Sequence, residues 1–146
     1  MARTETNVTI NRPIEEVFAF VTDIGNATQW MSGVLEAAQT SPGAMGVGAT
    51  YRFNIEVMGR KLETTGEVAV YDPPRKYAWK GTSGPFPMSG STTCEPVDGG
   101  TRVTDTIEAA PGGFFKLAEP LLIKQQRGQM EKDMQKLKER LEKSAA

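Results

Sequence analysis

Residues Thr50 to Val70 read TYRFNIEVMGRKLETTGEVAV, and this stretch decides the fold. Tyr51, Phe53, Ile55 and Val57 alternate with Arg52, Asn54 and Glu56, a period of two that gives a strand one apolar and one polar face. Met58-Gly59-Arg60 forms a turn. The return strand carries Leu62, Thr64, Gly66, Val68 and Val70 on its dry side, and Lys61, Glu63, Thr65 and Glu67 on its wet side. A hairpin of this kind belongs to an antiparallel sheet covered on one face only.

Toward the C-terminus, Tyr71-Asp72-Pro73-Pro74 ends the return strand, and Tyr77 and Trp79 carry the dry face onto the next one. Gly81 to Pro85 reads as a loop, Phe86 to Glu95 as a strand, Asp98-Gly99-Gly100 as a turn and Thr101 to Glu108 as the last strand. Beyond Pro111-Gly112-Gly113 the pattern is helical to the end, and Pro120 predicts a kink or a separate first turn. Met130, Met134, Leu137 and Leu141 form one stripe facing the sheet, with Lys132, Asp133, Lys136, Lys138 and Glu139 in water. Projected backward, the stripe passes Ile123 and then Gln126 or Arg127, a polar interruption.

Toward the N-terminus, Val8 and Ile10 mark a short edge strand stopped at Asn11-Arg12-Pro13. Proline suits a first helical turn, and Glu15 and Glu16 complement the helix dipole there. The helix buries Ile14, Val17, Phe18 and Val21, and Asp23 caps a second short helix ending near Trp30. The chain reads as one α+β domain, residues 1–146, with a curved antiparallel sheet of six or seven strands.

The 146 residues suffice to bury about 70% of the unfolded chain's surface without cross-links. Cys94 is the one cysteine and there is no histidine, which excludes an internal disulfide, the usual zinc sites and Ser-His-Asp or Cys-His catalysis. Seventeen Lys plus Arg against 18 Asp plus Glu give no basic surface for nucleic acid. No apolar run approaches the roughly 18 residues of a membrane span, and Met1 to Thr6 lacks a signal-peptide core. The expectation is a cytoplasmic protein, not integral to a membrane, that needs neither metal nor cofactor.

The order of strand, two short helices, meander and long helix resembles the helix-grip fold of the SRPBCC superfamily. That superfamily includes START-related lipid-transfer domains, birch-pollen-allergen-like proteins and polyketide cyclase-like proteins. The resemblance covers almost the whole chain. It is carried by Ile10 to Phe18, Asp23 to Trp30, Gly46 to Tyr51, Tyr71 to Arg75, Gly99 to Val103 and Leu137 to Glu142. None of these is a catalytic signature. The resemblance implies an apolar cavity between the long helix and the concave sheet, used across the superfamily for varied ligands.

Trp30, Tyr51, Phe53, Ile55, Val68, Trp79, Phe86 and Met88, with Met130 and Met134 from the helix, are the expected lining. Aromatics and methionines serve equally as ordinary core. Asp105 falls between Val103 and Ile107 on the dry side. A carboxylate there must be paired or protonated, so Asp105 either orients a ligand or moves a proton, with Arg127 or Tyr51 as candidate neighbours, or else sits on a bulge or in a structural ion pair. Arg127, Gln125, Gln126 and Gln129 are a solvated face unless one turns inward to anchor a head group. Cys94 alternates with Thr92 toward the interior, as a small buried filler or as a reactive thiol. Gly81 to Gly90 suits a lid or a plain loop.

Three functions fit: binding or transport of a hydrophobic small molecule such as a lipid, quinone or polyketide; a polyketide cyclase or dehydratase acting through the same cavity; and a protein-interaction module like the heat-shock ATPase activators of this fold. The first needs only an apolar lining with few polar groups, and it leads.

Overall fold

Strands β1 (Ala2–Ile10), β2 (Val34–Gln39), β3 (Thr50–Val57), β4 (Arg60–Asp72), β5 (Lys76–Ser83), β6 (Met88–Val97) and β7 (Gly100–Ala109) form one antiparallel sheet in the order β1-β7-β6-β5-β4-β3-β2. The computed structural model describes residues 2–57, 59–84, 87–109 and 119–143. The meander from β2 to β7 pairs each strand with the next, and β1 returns to close against β7. Gly59, with φ of +79°, supplies the left-handed residue of the β3–β4 turn.

Register shifts occur between Val34 and Glu36, at Thr65/Gly66 and at Val68/Val70. Each extra residue bends its strand and curls the sheet. The shift at Val68/Val70 also overturns the simple alternation. Val68, 1% exposed, is core, while Val70, 37% exposed, faces solvent and Tyr71 packs on Phe18. Ala69 is the extra residue, so the inward set changes from even to odd positions.

The expected loop at Gly81 to Pro85 is strand as far as Ser83, with Thr82 as the extra residue opposite Thr65 and Gly66. Strand β6 lies two residues further along than the alternation indicates, from Met88 to Val97, and β7 extends one residue beyond the expected bounds at each end, to Gly100 and Ala109.

Helix α1 (Ile14–Thr22) follows Pro13, with Val17 and Phe18 buried and Ile14 and Val21 packed on the core. A 3-10 turn, Ile24–Asn26, is capped by the Asp23 carboxylate accepting from the Gly25 N–H at 3.0 Å, and leads into the single turn of α2 (Ala27–Trp30). The long helix α3 (Glu119–Lys143) lies along β1 and against α2. Pro120 sits in its first described turn, where a missing N–H disrupts nothing, and the expected preceding turn lies outside the described residues. The Pro111-Gly112-Gly113 break lies outside the described residues. Met130, Met134, Leu137 and Leu141 are buried as the stripe requires. Asp133 departs from the predicted wet face: it is buried, accepting from the Ser32 N–H at 3.0 Å and from the Ser32 hydroxyl.

The core gathers Ile10, Val17, Val68, Val103, Met134, Leu137 and Leu141 with Phe18, Trp30, Tyr77 and Cys94. Among the described residues no helix is long and apolar enough to cross a membrane.

Candidate functional site

Two pairs of residues facing each other across neighbouring strands shape the concave face. Tyr51 on β3 pairs with Gly66 on β4, and Trp79 on β5 pairs with Gly90 on β6. A Cβ on Gly90 would lie 2.6 Å from Trp79 Cζ2, and one on Gly66 would overlap the phenol end of Tyr51. Both rings therefore lie across bare backbone instead of standing up from the sheet. Glycine inside a strand marks such a close approach. The two rings meet edge to face, 6.3 Å between centroids at 90°, and Phe53 meets Tyr51 at 5.3 Å.

Above this floor is a cavity of about 180 Å³. Its floor and sides include Tyr51, Phe53, Ile55, Tyr77, Trp79, Met88, Thr92, Asp105 and Ile107, and its roof is Val21, Asp23, Ile24, Ala27, Trp30 and Met31. The expected position is thus corrected. The cavity lies beneath the α1–α2 segment, and no described residue of α3 lines it.

Seven candidates meet at this site: Trp30, Tyr51, Phe53, Ile55, Trp79, Met88 and Asp105. Val68 and Met134 belong to the packed core, and Met130 is buried away from the cavity. Their volumes fill the space where strands and helix already touch, which leaves no room for a ligand there. Arg127 is exposed, and its neighbour Gln126 turns inward, accepting from the Thr4 hydroxyl at 3.2 Å. Phe86 lies outside the described residues.

A polar row crosses the sheet beside the aromatic floor: Thr6, Asp105, Thr92, Tyr77 and Tyr71 are successive cross-strand partners. Asp105 is 7% exposed, and its Oδ1 accepts from the Thr92 hydroxyl at 3.1 Å. Burial pushes its carboxyl up to about 7; the Thr92 bond opposes this and the nearby Asp133 carboxylate adds to it. Desolvation likewise raises Asp133. Burial, with Tyr77 adding, raises the Tyr51 phenol, and burial takes Tyr77 to about 12. Cys94 is buried in the core, and burial pushes its thiol up to about 12, the environment of a filler.

Among the described residues, Trp30 Nε1 and the Tyr51 hydroxyl are buried with no hydrogen-bond partner. Most buried polar atoms have one, and leaving one unpaired costs about 1–3 kcal/mol. Both belong to residues that line the cavity.

The roof is tied to α3 at three points. Ser32 is held by Asp133, the Gln129 side chain packs so closely on Gly33 that a Cβ there would overlap it, and Arg140 Nε donates to Gln29 Oε1 at 2.9 Å. Sequence reading misses Thr92, Tyr77 and the roof residues Ile24, Ala27 and Met31. Gly66 falls in the inward register, the one signal that points to the floor.

A family model described as polyketide cyclase / dehydrase and lipid transport matches residues 1–142. The chain belongs to that family. The SRPBCC resemblance is thereby confirmed. Solved structures share the family's fold at low identity. A protein from Thermus thermophilus superposes with a TM-score of 0.86 at 20% identity, covering 99% of this chain and 100% of that one. A START superfamily protein from Mycobacterium smegmatis gives 0.79 at 15% identity, covering 97% of each chain. The Zhui aromatase/cyclase from Streptomyces sp. R1128 gives 0.72 at 16% identity, covering 99% of this chain and 96% of that one. Among curated proteins none matches the chain significantly.

Proposed function

We propose that this member of the polyketide cyclase / dehydrase and lipid transport family binds a hydrophobic small molecule in the cavity between the α1–α2 segment and the sheet. The observation that carries the reading is the aromatic floor laid over Gly66 and Gly90, which keeps about 180 Å³ open where side chains would otherwise fill the sheet. A closely packed interior holds few voids larger than a water molecule, so an apolar space of this size is a binding site by default. It is small beside the roughly 300–1,000 Å³ of drug-sized pockets, and near the roughly 150 Å³ of a dry cavity that takes benzene. A ligand that fits without moving the roof is one or two rings in size. Native mass spectrometry of the purified protein tests this: a stoichiometric apolar adduct is expected. An empty protein to which no ring compound binds would sink the reading.

A second reading, a cyclase or dehydratase, is favoured by Asp105. A carboxyl in the cavity wall held near 7 can hold or release a proton at neutral pH, and chemistry of this kind also draws on positioning of the chain. Turnover of a short aromatic poly-β-ketone by the wild type, lost in Asp105→Asn, supports this reading. Equal turnover by both removes Asp105 from it.

A further inference from the structure

The cavity's charge points to a narrower class of ligand. Among the described residues that line it, Asp23 and Asp105 are the charged types, and no lysine or arginine is present. The chain has no histidine to supply a positive charge. Asp105 is met by Thr92 from β6, by its cross-strand partner Thr6 from β1 and by the field of Asp133 from α3, beside which Lys136 lies. Thr6 Oγ1 is itself buried without a partner among the described residues. Five aromatic side chains, Trp30, Tyr51, Phe53, Tyr77 and Trp79, complete the surroundings.

An anionic head group placed here would meet the buried Asp105 carboxyl with no cationic side chain among the described lining residues, and the exposed Asp23 at the rim carries the same sign. Fatty acids and phospholipids are disfavoured by that arrangement. A protonated amine has the opposite fate. It neutralises Asp105, forms a charge-assisted hydrogen bond with it, and is attracted by the electron-rich faces of tryptophan and tyrosine.

We infer that the cavity selects compact aromatic amines, one or two rings bearing a basic nitrogen, with Asp105 as the counter-ion and the Tyr51–Trp79 floor under the ring. This rests on the ligand-binding reading above and goes beyond it by fixing the ligand's charge.

The test uses three probes of nearly one shape and different charge: phenethylamine, 2-phenylethanol and phenylacetate. Trp30 and Trp79 are the chain's two tryptophans and both line the cavity, so their fluorescence reports binding directly. In the wild-type protein at pH 8 the amine is expected to bind about tenfold more tightly than the alcohol, and phenylacetate most weakly. Asp105→Asn, isosteric and still able to accept from Thr92, is expected to erase the amine's roughly tenfold advantage over the alcohol. Binding of phenylacetate or the alcohol as tight as that of the amine overturns the inference, and so does an amine preference that survives Asp105→Asn. The wild-type ranking decides even where the variant folds poorly. Failure of all three probes, with no adduct in native mass spectrometry, overturns the cavity reading itself.

Discussion

The concave face of this sheet meets its covering helices in two contrasting ways. Near α3, Ile10, Val103 and Leu137 are all at most 1% exposed, and Thr4 and Thr101 fit between them. Under the α1–α2 segment, the same face carries Gly66 and Gly90, two rings lie down across them, and open volume remains. Aliphatic residues that stand up from a strand reach the helix and close the gap. Glycines that let aromatics recline leave it open. The contrast arises from side-chain choice at paired positions together with the register shift at Thr65/Gly66, which falls at the glycine under Tyr51.

The contrast is broken most severely from the packed side. Leu137→Ala is expected to cost about 2–5 kcal/mol in urea unfolding, because a fully buried leucine in a filled core leaves a new cavity. From the hollow side, Gly66→Ala is expected to cost about 1–3 kcal/mol and to push Tyr51 upward, since the added Cβ overlaps its phenol end and also lies 2.6 Å from the Lys80 carbonyl. Its sharper signature is loss of ring-compound binding, read by tryptophan fluorescence, while Leu137→Ala leaves binding in place under conditions where it is folded.

How much of this is legible in the sequence follows the same division. The period of two in β3, the Pro13 helix start and the Met130 to Leu141 stripe are repeated signals, and each places its element correctly. Gly81 misleads because glycine near serine and proline resembles a turn, whereas here it lies within β5, next to a bulge. The bulge at Ala69 has no local signature: it is fixed by pairing with β5, so plain alternation puts Val70 inward and leaves Tyr71 out. The resemblance to the helix-grip fold places the cavity under the long helix. Its actual position depends on which stripe fills its space, a question of volume that periodicity does not answer.

Smaller effects sharpen the comparison further. The Asp105 carboxyl ionises near 3.8 in the unfolded chain and near 7 in the folded one. The unfolded state therefore releases its proton first, and the protein is expected to lose stability as pH rises from about 4 to about 7. Asp133 is shifted in the same direction, whereas the half-buried Glu142, lowered by Lys138 and the Asn11 N–H, acts oppositely in the acid range. Thermal melts across this window should show the decline, and Asp105→Asn should flatten most of it. Ser32→Ala leaves the buried Asp133 with the Ser32 N–H alone and is expected to cost about 1 kcal/mol. Tyr51→Phe is expected to raise stability by up to about 1 kcal/mol, because the hydroxyl it removes is buried without a partner among the described residues. A loss of stability instead would show that this hydroxyl is bonded in solution.

The ties at Ser32, Gly33 and Gln29 give α3 an influence over a space that its described residues do not line. The height of the ceiling above the aromatic floor is set by where this beam rests, and its footing is the hydrophobic stripe from Met130 to Leu141. A variant survey confined to the cavity wall would therefore overlook part of what governs ligand size. Substitutions at Asp133, Gln129 or Arg140 would alter which molecules are admitted by raising or tilting the roof, leaving every wall residue unchanged.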